Sequence, residues 1–216
     1  MKAVEADVYA SFKNNNPVQV FLGVDIGSTS TKAVLLDQNK GVIAGFYTRT
    51  SGQPLKAVQV IFEAICDFFG RKQVSFIITG AGTTGSGRKF TGKIIGADLI
   101  LDEITAHARA AWELNPETDT IIEIGGQDSK FTIMHHGMVT FSVMNNVCAA
   151  GTGSFIEEQA KRLGCPLEEY AERAEKVHSP LASDRCTVFM ERDLNHYLMA
   201  GYSRDEILAA VLHSTR

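Results

Sequence analysis

The sequence predicts an α/β protein built from two similar halves, and three observations carry that expectation. A pattern of strand, Gly turn, strand, turn and strand occurs near residues 20–49 and again near 120–143. Segments whose apolar side chains recur at helical spacing follow each occurrence. The first strand of each set runs into a Gly turn carrying carboxylates and hydroxyls. Two similar halves facing one another would leave a cleft, a common place for a ligand.

The elements follow in order. Residues 1–17 are polar, contain Asn14-Asn15-Asn16-Pro17 and show no strong period, so they read as a leader or linker. Residues 18–26 read as a buried strand, 31–37 as a second and 42–49 as a third, joined by tight turns into an antiparallel meander. Val58, Ile61, Phe62, Ile65 and Phe69 mark a helix over 54–70. A strand over 74–79, a Gly/Ser/Thr loop over 80–87 and a helix over 98–114 come next, with Asn115-Pro116 as its stop. Strands over 120–124, 129–134 and 138–143 repeat the opening pattern. Helices are then expected over 152–164, 167–178, 187–200 and 204–214. The units so defined are a leader 1–17, a first subdomain 18–116 and a second subdomain 117–216.

Composition narrows the function classes. Of 216 residues, 44% are hydrophobic and 21% charged, with a formal net charge of −4, the balance of a globular protein. No basic block exists to form a nucleic-acid surface. No apolar run has the length needed to cross a membrane, and the acidic N-terminus lacks the apolar core of a signal peptide. The expectation is a cytoplasmic protein without nucleic-acid or membrane partners.

Two segments carry candidate phosphate chemistry. In Asp25-Ile26-Gly27-Ser28-Thr29-Ser30-Thr31-Lys32, a strand delivers a carboxylate to a turn rich in amide and hydroxyl donors. Such a turn cradles phosphate, and Asp25 can hold a hydrated Mg²⁺. Glu123-Ile124-Gly125-Gly126-Gln127-Asp128-Ser129-Lys130 repeats that logic, and Gln127 or Asp128 could orient a water for attack on a terminal phosphate. The plain alternative for each is a polar hairpin. Gly80-Ala81-Gly82-Thr83-Thr84-Gly85-Ser86-Gly87-Arg88-Lys89 is not a P-loop: its Lys is displaced and the following hydroxyl is missing.

Cys148 and Cys186 each precede a predicted helix. A thiolate there gains from the positive helix end and its free amides, as does an anionic metal–sulfur cluster. Four thiolates usually hold a [4Fe–4S] cluster, so two chains about a two-fold axis would supply the set. Two buried thiols near helix caps are the alternative. Cys165, in a helix-ending turn, is a weaker third candidate, and Cys66 lies in an apolar helical run and reads as core. His135-His136 reads as a solvated turn.

Taken together, GVDIGSTSTKAVLLD, TGAGTTGSGRK, IIGADLILDEITAHARAA, IIEIGGQDSKF, NNVCAAGTGSFIEEQAKRLG and DRCTVFMERD resemble the ATP-dependent activators of 2-hydroxyacyl-CoA dehydratases. That group includes the ATPase subunits of benzoyl-CoA reductase. The match spans about residues 20–200 and is nearest to activase-like domains inside large multidomain proteins. The resemblance implies the actin/Hsp70/sugar-kinase (ribonuclease H-like) fold, with two similar subdomains around a cleft that holds ATP or ADP. It maps phosphate contacts onto Asp25, Gly27, Ser28 and Thr29, with Ser30 and Lys32 of the same segment as further candidates for cofactor binding, and onto Gly125, Gly126, Gln127 and Asp128. It further implies a homodimer with one [4Fe–4S] cluster held by Cys148 and Cys186 of each subunit. ATP hydrolysis then lets the cluster pass a low-potential electron, received from a donor such as ferredoxin or flavodoxin, to the dehydratase. Such activators usually continue past the point matching Arg216, so the second subdomain is expected to be incomplete at its C-terminus. Two further functions stay open: a small-molecule kinase of the same fold, and a non-catalytic ATP-binding scaffold domain.

Overall fold

The structure is a computed structural model, and it describes residues 4–10, 17–145, 152–184 and 186–214. The chain divides into two compact units, Met1–Glu113 and Leu114–Arg216.

The first unit is a six-stranded sheet with helices. β2 (Val18–Ile26), β3 (Ser30–Leu36) and β4 (Val42–Arg49) form the antiparallel meander. β5 (Phe76–Thr84) joins β2 in parallel, α2 (Arg88–Ile95) follows it, and the short β6 (Leu99–Ile100) pairs with β5; with β1 (Glu5–Val8) on β4 the order is β1-β4-β3-β2-β5-β6. Alternation along β2 sends Val20, Leu22, Val24 and Ile26 into the core, while Phe21, Gly23 and Asp25 take the other face. α1 (Pro54–Lys72) covers the core face with Val58, Ile61, Ile65 and Phe69. Phe69 stacks on Phe76 at 4.2 Å between ring centroids, tying α1 to the start of β5. Pro54 opens α1, and Gln73 closes it in the left-handed conformation, φ 56°.

Three local differences from the sequence expectation have physical causes. Glu5–Val8, inside the expected leader, forms β1 on β4. All four residues are exposed, so the strand has no buried face and no hydrophobic signature. It is ordered by backbone pairing. β5 runs through Gly80 and Gly82, where a loop was expected. Glycine weakens strand propensity, but a side chain at Gly80 would sit 3.1 Å from the Phe21 ring on the paired strand. The single helix expected over 98–114 is split. Leu99–Ile100 pairs with β5, and Asp102 caps α3 (Glu103–Leu114) by accepting from the Thr105 amide at 3.0 Å and hydroxyl at 2.8 Å.

The second unit holds an antiparallel three-stranded sheet in the order β7 (Thr120–Ile124), β8 (Ser129–His135) and β9 (Met138–Met144). Four helices follow: α4 (Gly153–Arg162), α5 (Leu167–Ala174), α6 (Thr187–Met199) and α7 (Arg204–His213). α7 buries the consecutive residues Ile207, Leu208, Ala209, Ala210 and Val211, so it is surrounded rather than laid on a surface. Phe155, Leu163, Tyr170, Met190 and Leu194 pack about it. The Tyr170 hydroxyl donates to Leu208 O at 3.1 Å, and burial pushes this phenol well above its ordinary range. Ser203 and Glu206 form a reciprocal capping box at the start of α7. Among the described residues no helix is long and apolar enough to cross a membrane.

Candidate functional site

The first Gly turn lies between β2 and β3. Asp25 is paired in register with Lys32 across the two strands. Lys32 Nζ is 3.1 Å from Asp25 Oδ2. The Gly27 amide donates to Ser30 O at 3.0 Å and closes the turn. A Cβ on Gly27 would press on that same oxygen at 2.9 Å, so the approach requires glycine. Thr50 braces the turn from β4's end: its hydroxyl donates to Gly27 O at 2.7 Å and lies 2.9 Å from the Thr31 hydroxyl. Ser28 is exposed at the tip, with Thr29 and Ser30 half-buried beside it.

The second Gly turn, between β7 and β8, repeats the closing bond and the cross-strand pair of the first. Glu123 pairs in register with Lys130, seven residues on, as Asp25 does with Lys32. The Gly125 amide donates to Asp128 O at 2.8 Å, and a Cβ on Gly125 would lie 2.9 Å from that oxygen. What differs is the cation. Lys130 is 3% exposed and reaches two carboxylates, Asp128 Oδ1 at 2.8 Å and Glu123 Oε1 at 3.3 Å. Burial pushes its ammonium down, but the hydrogen bond to Asp128 and the Glu123 charge outweigh that and hold it above the ordinary lysine value. Two helix amides cap the turn from α4: Gly153 N donates to Gly125 O at 2.8 Å and Ser154 N to Gly126 O at 3.2 Å. Gln127 is exposed at the tip next to Asp128.

A third segment stands against the first turn. β5 pairs with β2 so that Thr84 lies opposite Asp25. Gly85 follows with φ 85°, and a Cβ there would lie 2.4 Å from Asp25 Oδ1 and 2.6 Å from Ile26 O. The Gly87 amide donates to Ile26 O at 2.9 Å and the Ser86 hydroxyl to the same oxygen at 3.3 Å. Arg88 then donates to Gly85 O at 2.9 Å and faces Glu103 at 3.7 Å. Asp25, Lys32 and Thr84 share the wall of a cavity of about 270 Å³ with Gly23, Gly82 and Val34.

The cysteines fall in three settings. Cys186 is the N-cap of α6, half-buried, with extended backbone and no side-chain capping bond. Cys165 is buried among the helices of the second unit, and its thiol donates to Pro166 O at 3.3 Å. Cys66 corrects the expectation of a core residue: it is exposed on α1, one position past the buried stripe at Ile65, on the rim of a groove with Phe62 and Ile94. Cys148 lies outside the described residues. Among the described residues no group of three or more His, Cys, Asp or Glu could hold a metal ion.

Residues 22–215 match the model of the BadF/BadG/BcrA/BcrD ATPase family. The chain belongs to this family. It is 36% identical to the activator of lactoyl-CoA dehydratase from Anaerotignum propionicum over 196 residues, 88% of this chain and 72% of that one. Component A of (R)-2-hydroxyglutaryl-CoA dehydratase from Acidaminococcus fermentans superposes with a TM-score of 0.75 at 29% identity, covering 91% of this chain and 74% of that one. The activator of 2-hydroxyisocaproyl-CoA dehydratase from Clostridium difficile, whose structure contains ADPNP, gives 0.74 at 28% identity, covering 91% and 72%. The actin/Hsp70/sugar-kinase fold and the family read from the sequence motifs are therefore those of this chain.

For this BadF/BadG/BcrA/BcrD ATPase family member, the structure adds residues that the motifs did not single out. Thr84, Gly85, Ser86 and Arg88 lie in the segment that is not a P-loop, and its likeness to the family gave them no role. No local pattern gives them a role. Their signal is the parallel pairing of β5 with β2, which lands them beside Asp25. Glu123 and Lys130 are a second case: they bound the second motif, and the cross-strand register shows that they pair as Asp25 and Lys32 do.

Proposed function

We propose that this chain is an ATP-hydrolysing activator of a 2-hydroxyacyl-CoA dehydratase-type partner. The observation that carries the reading is the matched pair of Gly turns, each closed by one glycine amide and each set beside a cross-strand carboxylate–lysine pair. The names of the matched proteins and the ADPNP in one of them support it. In each turn the glycine stands where a Cβ would press on a backbone oxygen, at 2.9 Å in both. The lack of side chain lets each turn close this tightly, and a phosphate would take the other donors at the tip. Asp25 presents a carboxylate at a strand end, with Lys32 neutralising one oxygen. That donor set fits a hydrated Mg²⁺, and Ser28, Thr29 and Ser30 would add hydroxyl donors to phosphate. In the second turn Lys130 holds Asp128 in place, so that Asp128 and the exposed Gln127 orient an attacking water.

The finer part of the proposal is redox. A [4Fe–4S] cluster between two copies of the chain would be held by Cys148 and Cys186 of each, and when bound it would supply one-electron transfer at low potential. Cys186 fits that role: its thiol sits partly exposed at the N-terminus of α6, where the helix end favours an anion and the first-turn amides can donate to sulfur. A donor of the ferredoxin or flavodoxin kind would charge the cluster.

The test uses protein purified without oxygen. It should hydrolyse Mg-ATP, lose that activity in Asp25→Ala, and carry roughly four irons per two chains. Failure to bind or hydrolyse ATP would overturn the ATPase reading. Phosphoryl transfer to a sugar hydroxyl by an iron-free protein would instead mark it as a small-molecule kinase.

A further inference from the structure

We propose that Thr84 is a further ligand-contacting residue of the Asp25 turn, its hydroxyl donating to a phosphate oxygen. The inference rests on reading that turn as phosphate-binding. In the sheet, Thr84 of β5, Asp25 of β2 and Lys32 of β3 are paired in register, so they form one row across three strands and share one face. The neighbouring Thr83 takes the opposite face, where its hydroxyl donates to Arg88 O at 3.1 Å. Two adjacent threonines thus differ. Thr83 is satisfied, while the Thr84 hydroxyl oxygen is buried with no hydrogen-bond partner among the described residues.

A buried hydroxyl without a partner costs stability, and valine would fill the same shape without that cost. A side chain that costs stability is expected at a site that acts on a ligand. The surroundings give the ligand's character. Of the side chains around the cavity of about 270 Å³, Lys32 and Thr84 are the donors flanking Asp25, and the rest are Thr83, small residues or hydrocarbon. A turn about the Cα–Cβ bond that exchanged the threonine methyl and hydroxyl between staggered positions would bring the hydroxyl to the cavity for a ligand to accept from. Gly85 lets the strand end lie close to Asp25 and Ile26, since a Cβ there would meet Asp25 Oδ1 at 2.4 Å and Ile26 O at 2.6 Å.

The experiment compares wild type, Thr84→Val and Thr84→Ser by thermal unfolding without nucleotide and by calorimetric titration with ADP and Mg-ATP. Thr84→Val should unfold at the same or a higher temperature and bind nucleotide roughly tenfold more weakly, the scale of one lost hydrogen bond to a charged group. Thr84→Ser should restore affinity to near wild type. Unchanged affinity in Thr84→Val would overturn the assignment of Thr84 alone. Weaker binding together with a lowered unfolding temperature would assign Thr84 a structural role and also overturn it. If wild type binds no nucleotide, the failure lies instead with the phosphate-binding reading of the turn.

Discussion

A Cβ on Gly85 would lie 2.4 Å from Asp25 Oδ1, closer than any side chain can be tolerated. The residue also has φ 85°, a conformation that suits glycine. Gly85→Ala therefore meets both a clash and a strained backbone. It should cost about 2 kcal/mol or more and displace Asp25 from the turn. Denaturant unfolding together with nucleotide titration would detect both effects. An alanine variant of wild-type stability and affinity would mean that the turn yields easily.

Lys130 should be a pH-sensitive support. Its ammonium is held above the ordinary value of 10.5 in the folded state. A group raised on folding contributes its stability below its unfolded value, and that stability is lost as pH rises through the folded value. Unfolding free energy should accordingly fall above about pH 10.5. Lys130→Met should remove this portion of the alkaline loss and cost about 1–3 kcal/mol at neutral pH, less than for a fully buried pair because Asp128 and Glu123 are partly exposed. Urea titrations of both proteins at pH 7 and pH 11 would check this.

Thiol chemistry separates the described cysteines. A water-soluble disulfide reagent should label Cys66 quickly in the native protein, because it is exposed, and Cys186 more slowly. Cys165 is buried and should react only on unfolding. In anaerobic protein Cys186→Ser should remove the iron, while Cys66→Ser leaves iron content and stability unchanged. Retention of a full iron complement in Cys186→Ser would exclude Cys186 as a ligand.

The cap of α3 is testable from the acid side. The Thr105 backbone amide, then its hydroxyl, hold the Asp102 carboxyl below its ordinary value of 3.8. A depressed carboxyl contributes stability above its unfolded value and loses it as pH falls through the folded one. Asp102→Ala should cost about 1 kcal/mol at pH 7, and the difference from wild type should shrink as pH falls below the ordinary value of 3.8. Chemical denaturation across that range would measure it.

Much of the molecule could be read along the chain. The meander of β2, β3 and β4 follows from alternation at Val20, Leu22, Val24 and Ile26, and α1 from the spacing of Val58, Ile61, Ile65 and Phe69. The Gly turns at Gly27 and Gly125 were visible because glycine, carboxylate and hydroxyls are contiguous there. Cys66 misled because it adjoins an apolar stripe without belonging to it: one residue along a helix turns a side chain by about 100°.

By itself the sequence determined the class of fold, the family and the two candidate phosphate turns, since each rests on side chains that are neighbours in the chain or recur at a fixed period. Tertiary structure decided which residues stand against those turns. Thr84 and Gly85 reach Asp25 only because β5 enters the sheet parallel to β2, in a register set by close contacts such as Gly80 against Phe21. Lys130 becomes buried between two carboxylates only when β7 and β8 pair. In the β7–β8 hairpin the turn itself fixes the register, whereas β5 and β2 are far apart in the chain and their pairing depends on packing that no local pattern encodes.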